Sequence, residues 1–196
     1  MDNLSIKRLS EVDEQFVEQT AQVFVESYPE MFSLISKDQP TLVRTLMHSF
    51  GKDHFYIAML DNQVLGLIGY STNKQRAHSF DLNIFKQELG SIKGWICYKL
   101  LSSEFQKPLL IEDNQCNFES IATSPSARGK GVATTLIRHL MDNLEFDEAI
   151  LEVVDNNTNA IRLYEKLGFS IFEKKKQRFS KLAGFNERFY MKIKMR

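Results

Sequence analysis

Apolar and polar residues alternate along this chain in two periods, and the change from one to the other marks out the elements. Leu4, Ile6 and Leu9, with polar residues between them, predict a first strand. From Val12 to Ser27 the period lengthens: Val12, Phe16, Thr20, Val23, Phe24 and Ser27 fall along one side of a helix. Tyr28-Pro29 ends it, because the residue before proline avoids helical torsions, and Pro29 can open a short helix over Glu30 to Ile35. After Asp38-Gln39-Pro40, the spacing of Leu42, Val43, Leu46, Met47 and Phe50 predicts another helix ending at Gly51. His54 to Leu60 and Val64 to Tyr70, joined by Asp61-Asn62-Gln63, read as a hairpin.

Between Ser71 and Gln106 the helical period returns, with Phe85, Leu89, Ile92, Ile96 and Leu100 at its intervals. One or two helices are expected there, weakened by Gly90 and Gly94 at up to about 1 kcal/mol each, with a break near Gly90. Pro108 to Glu112 leads toward a strand over Asn114 to Thr123, stopped by Ser124-Pro125. In a regular strand Asn117, Glu119, Ile121 and Thr123 would face one way and Phe118, Ser120 and Ala122 the other. Val132, Leu136, Leu140 and Leu144 predict a helix, Ala149 to Val154 a strand, and Asn157 to Phe169 a second helix. Ser170 to Arg178 and Glu187 to Met195 read as a closing antiparallel pair around Lys181-Leu182-Ala183-Gly184.

Composition narrows the class without naming a function. With 196 residues, 43% hydrophobic and 26% charged, the chain reads as a single globular domain over residues 1–196. Its 25 basic and 25 acidic residues cancel, so no overall field recruits nucleic acid or an anionic membrane. Lys174, Lys175, Lys176, Arg178 and Lys181 cluster locally, as edge-strand protection or as an acidic-acceptor surface. Cys97 and Cys116 make neither a disulfide framework nor a zinc site and are expected to be buried free thiols. The start shows no basic, then apolar, secretory pattern, and no apolar run approaches the 18 or so residues of a membrane span, so a cytoplasmic protein is expected.

Chemistry enters at Arg128-Gly129-Lys130-Gly131-Val132-Ala133, where a strand gives way to a helix. The first turn of a helix leaves main-chain N–H groups unpartnered at the positive end of its dipole, which suits phosphate. Glycines let the backbone approach an anion where a Cβ would collide, and Arg128 and Lys130 add charge. The spacing is not that of a P-loop, which needs four residues between its glycines and then Lys-Ser or Lys-Thr. Nor does it fit a dinucleotide fingerprint, since Thr134 stands where a third glycine or alanine belongs, although Asp155 could serve as the distant acid.

About thirty residues on comes Asn157-Thr158-Asn159-Ala160-Ile161-Arg162-Leu163-Tyr164-Glu165-Lys166-Leu167-Gly168-Phe169. Together with Arg128-x-x-Gly131-x-Ala133 it resembles the GNAT superfamily of N-acetyltransferases, over about a quarter of the chain. The resemblance implies an α/β (α+β) fold: a mixed, mostly antiparallel sheet of about seven strands flanked by helices, here with an extra helical segment between the third and fourth strands. It implies acetyl-CoA as cosubstrate, with its pyrophosphate on Arg128, Gly129, Lys130, Gly131, Val132 and Ala133. It also implies a β-bulge in the strand ending at Thr123, where the pantetheine arm would bond main-chain atoms of Ile121, Ala122 and Thr123. The acceptor would be the primary amine of a small molecule or peptide. The resemblance allows a homodimer, but no interface is legible.

The same resemblance assigns roles. Tyr164 matches the family's proton donor to the departing thiolate, a phenol carrying its proton at neutral pH. Alone it reads as a packing residue beside Ala160, Ile161 and Leu167. Glu119 is the expected base, an acid early in the fourth strand; Glu112 and Asp113 are alternatives. Asn157, with Asn159 as rival, matches the residue that contacts the cofactor, and either suits a helix N-cap. Trp95 and Tyr98 would line an acceptor pocket if the extra helices form a lid; otherwise those helices pack outside the sheet. His48, His54, His78 and His139 have no catalytic or metal-ligand spacing, so no metal is expected. No Gly-x-Ser-x-Gly elbow is present to support a covalent acyl-serine.

Overall fold

A computed structural model of the chain describes residues 4–196. Seven strands form one sheet in the order β1-β2-β3-β4-β5-β7-β6. They are β1 (Ser5–Arg8), β2 (Phe55–Leu60), β3 (Gln63–Ser71), β4 (Gln115–Thr123), β5 (Glu148–Val154), β6 (Ser170–Lys176) and β7 (Glu187–Lys194). Every neighbouring pair is antiparallel except β4 and β5. The hairpin of β2 and β3 turns on Asp61 and Asn62 at φ 48° and 61°, the left-handed torsions that a two-residue primed turn needs.

Each face of the sheet carries its own apolar layer. On one lie α1 (Glu14–Ser27), α2 (Pro29–Ser33) and α3 (Gln39–Leu46), packed through Phe16, Phe24, Phe32 and Leu46. On the other lie α6 (Val132–Asn143) and α7 (Thr158–Leu167), whose predicted inward positions Val132, Leu136, Leu140 and Tyr164 are all buried. Gly66 in β3 lets α6 come close: a Cβ there would stand 2.7 Å from Val132 Cγ1 and 2.8 Å from the Ala122 carbonyl oxygen.

Helix ends depart from the periodic reading for local reasons. Leu9 belongs to a 3-10 turn after β1, and α1 starts at Glu14 behind Asp13. Asp38 caps α3 by accepting from the Thr41 N–H at 3.0 Å, so the helix starts at Gln39. It gives way to a 3-10 turn at Met47–Ser49, before Phe50 bridges to His78.

The extra segment is α4 (Leu82–Leu89) and α5 (Ser91–Phe105), broken at Gly90 with φ 83°. Gly94 is where the two helices touch, since a Cβ there would be 2.3 Å from the Phe85 carbonyl oxygen. Arg44 of α3 pairs with Glu88 of α4 at 2.8 Å, so the helices pack beside α3, outside the sheet. Trp95 is half exposed and Tyr98 packs edge-on to Phe85. An apolar groove of about 440 Å³ between α2 and α5 is lined by neither Trp95 nor Tyr98. In the closing pair, β6 is the sheet edge, and Lys174 and Lys175 lie over the Phe189 and Tyr190 rings. Cys97 and Cys116 are buried free thiols. Among the described residues no helix is long and apolar enough to cross a membrane.

Candidate active site

The sheet opens where its two parallel strands part. β4 and β5 pair from Gln115 with Glu148 to Phe118 with Leu151, and no further. The cause lies in β4, whose register against β3 slips between Leu67–Ala122 and Gly69–Glu119, leaving one extra residue on β4. Ser120, at φ 54°, takes up the slip.

Past the bulge the faces exchange: Phe118 packs with the α6 layer and Ala122 with the α1 layer. The even alternation expected for a regular strand therefore fails at Ser120. The Ser124 N–H donates to the Leu65 carbonyl at 2.8 Å and Ala122 registers with Leu67, so these residues serve the β3 ladder. Ile121 and Thr123 turn their main chain to the open side. Of the three predicted main-chain contacts, two face the gap and Ala122 does not.

At the mouth of the gap a 3-10 turn, Pro125–Ala127, leads into the glycine loop. Gly129 and Gly131 have φ 73° and 84°, torsions a residue with a Cβ adopts at a cost of about 1–2 kcal/mol. Among the described residues, and apart from the chain neighbours, no atom lies within 4 Å of a Cβ built on either, so backbone conformation calls for glycine here and the space above is open. Gly131 is the N-cap of α6 and offers no side chain to the first-turn amides. Arg128 and Lys130 are exposed beside it, while Val132 turns its side chain into the core.

Three titratable side chains lie within electrostatic reach of one another beside the gap. Tyr164 is 7% exposed, against Phe169; burial, then the nearby Tyr28 phenol, push its phenol up. Tyr28, after α1, donates from its hydroxyl to the Ile121 carbonyl at 3.0 Å; burial, then the Glu119 charge, push it up to about 12. Glu119 is no ordinary surface carboxylate. Its side chain is 10% exposed, pairs with Arg76 at 2.6 Å and accepts from Ser71 Oγ at 2.7 Å. Glu112 and Asp113 are exposed and precede β4. Asn157 caps α7, its Oδ1 accepting from the Ala160 N–H at 3.2 Å.

This geometry agrees with a match of residues 17–169 to the acetyltransferase (GNAT) family model. The chain belongs to the GNAT family. It is similar to the probable N-acetyltransferase san of Drosophila melanogaster, 32% identical over 95 residues, which are 46% of this chain. The match spans 48% of that relative, about half its length. An N-acetyltransferase structure from Staphylococcus aureus Mu50 superposes with a TM-score of 0.65 at 18% identity, covering 96% of this chain and all of the other. The ribosomal-protein-S18-alanine N-acetyltransferase of Escherichia coli gives 0.57 at 15% identity, covering 98% of this chain and 94% of the other. At such identities the two structures speak for the fold alone.

The GNAT reading of the sequence passed over Tyr28 and Ser27. Both appeared as the end of a helix, yet Tyr28 bonds the Ile121 carbonyl and Ser27 Oγ donates to the Thr123 carbonyl at 3.2 Å. Tyr-Pro at a helix end was the available signal, and it reads equally well as punctuation. Arg76 and His78 were passed over too, since nothing in the variable segment marks them as reaching β4.

Proposed function

We propose that this GNAT protein transfers an acetyl group from acetyl-CoA directly to a primary amine of a small molecule or peptide. The observation that carries the reading is the gap itself: the main-chain edge of Ile121 and Thr123, left unpaired by β5 and met only by the Tyr28 and Ser27 hydroxyls, runs from the glycine turn toward Tyr164, Tyr28 and Glu119. The residues suit the cosubstrate. A cradle with no protein atom above Gly129 and Gly131 has room for a diphosphate, and the edge can pair with the amides of a pantetheine arm.

Each group then has a task. Arg128, Lys130 and the first-turn amides of α6 hold the diphosphate, and Asn157, already capping α7, stands at the outlet of β5 beside the arm. An amine attacks only in its neutral form, so an alkylammonium with pKa near about 10 must lose a proton first. Glu119, held by Arg76 and Ser71, takes that proton through water. The amine nitrogen bonds to the acyl carbon and sheds its second proton to solvent, the carbon–sulfur bond breaks, and the electron pair leaves on sulfur. Tyr164, kept protonated by burial, gives its proton to the thiolate and recovers one from solvent. The products are the amide and free CoA thiol.

The test is a thiol-release assay with acetyl-CoA against a panel of small amines and peptides, beside calorimetry with CoA. Acceptor-dependent thiol release supports the reading. Tight CoA binding with silence across the panel would instead mark an acyl-CoA sensor, and absence of CoA binding would overturn the reading.

A further inference from the structure

His78 takes no part in the steps above, yet it is built into the site from behind. It is 1% exposed, boxed by Phe24, Phe50, Phe55, Phe80 and Phe105 at ring-centroid distances of 5.0 to 5.6 Å. Both ring nitrogens are engaged inside the box: Nδ1 lies 3.1 Å from Ser49 Oγ and Nε2 2.9 Å from Ser120 Oγ. A neutral imidazole satisfies both, one nitrogen donating and the other accepting. Ser120 is the bulge residue, held in left-handed torsions that cost about 1–3 kcal/mol unless surrounding contacts impose them.

The segment carrying His78 is itself anchored. The Ala77 N–H donates to Ser71 Oγ at 2.8 Å, the Ala77 carbonyl accepts from the Gly51 N–H at 2.8 Å, and the Ser79 N–H donates to the Ser49 carbonyl at 2.8 Å. Arg76 and His78, two positions apart, reach Glu119 and Ser120, which are consecutive. In a regular strand consecutive side chains point to opposite faces, and a bulge is what brings both to one side. The segment therefore fits β4 in its bulged form and would misfit a regular one.

We infer that His78 is a positioning residue that clamps Ser120 in the bulge and so holds open the β4 edge on which acetyl-CoA lies. The inference rests on the acetyl-CoA reading. Removing the clamp lets β4 relax toward β5 without touching any group that meets substrate.

Calorimetry with CoA on the full chain tests it, together with kcat and KM for acetyl-CoA. Ser120→Ala and His78→Leu should each weaken CoA binding about tenfold, the scale of one neutral hydrogen bond, with kcat at saturation nearly unchanged. His78→Gln, whose amide reaches the Nε2 position, should restore binding, and Ser120→Ala with His78→Leu should be no worse than either alone. If His78→Leu fails to fold in its aromatic box, Ser120→Ala decides. Wild-type binding with unchanged binding in folded Ser120→Ala overturns the inference and leaves the function standing. A wild-type protein that does not bind CoA overturns the function first and the inference with it.

Discussion

A tyrosine buried beside a second tyrosine keeps its proton far above neutral pH, so the Tyr164 phenol is protonated, as its proposed role as acid requires. Tyr164→Phe removes the proton and leaves the ring against Phe169, so kcat should fall about 100-fold with CoA affinity unchanged by calorimetry. Glu119 has a structural role and, in the proposed mechanism, a chemical one, and one substitution separates them. Glu119→Gln leaves Arg76 without its ion-pair partner in a largely buried setting and should cost about 1–3 kcal/mol in urea unfolding. If Glu119 also accepts the proton, kcat falls by about 100-fold in the same variant. Loss of stability with full turnover would leave it a scaffold residue. The family motif that holds Tyr164, Asn157 and the glycines was legible because it lies in one stretch of chain. Tyr28 and Arg76 were not, because they act on residues 93 and 43 positions away.

At the scale of elements, amphipathic spacing located α6 and α7 well, since their inward positions must meet a flat sheet every third or fourth residue. The bulge left no such mark. Glu119-Ser120-Ile121 reads like any strand, and its alternation breaks at Ser120, whose hydroxyl meets a histidine 42 residues earlier. The glycine turn lies between these cases: the motif was visible, but its reason differed. The expected collision of a Cβ with an anion is joined by a backbone requirement, φ 84° at Gly131 with no protein atom near. Gly131→Ala should therefore destabilise the fold by only about 1–2 kcal/mol, the left-handed penalty. Its CoA affinity should drop more steeply, because the new methyl group fills the space where a phosphate oxygen would sit. Thermal unfolding and calorimetry on one preparation separate the two effects, and equal CoA affinity would remove the anion role from this turn.

For the molecule as a whole, the α1 layer is built around an imidazole that must stay neutral. Burial, and secondarily the Arg76 charge, push His78 down to about 3, whereas in the unfolded chain it titrates near its ordinary value of 6.5. Below pH 6.5 the unfolded state thus binds a proton that the folded state refuses. The stabilisation is complete above about pH 6.5 and is lost as pH falls toward about 3, at a slope approaching 1.4 kcal/mol per pH unit. His48, half-buried and also lowered by burial, adds in the same direction, while the lowered carboxyls of Asp38, Asp113 and Asp155 act only nearer their own range below about 4. A difference measurement isolates His78. Urea unfolding of the wild type and His78→Gln between about pH 4 and 6.5 should show the wild type losing stability faster by about 1 kcal/mol per pH unit. Parallel lines would mean that the imidazole accepts its proton in place, which a ring enclosed by five phenylalanines and two hydroxyls has no solvent to support.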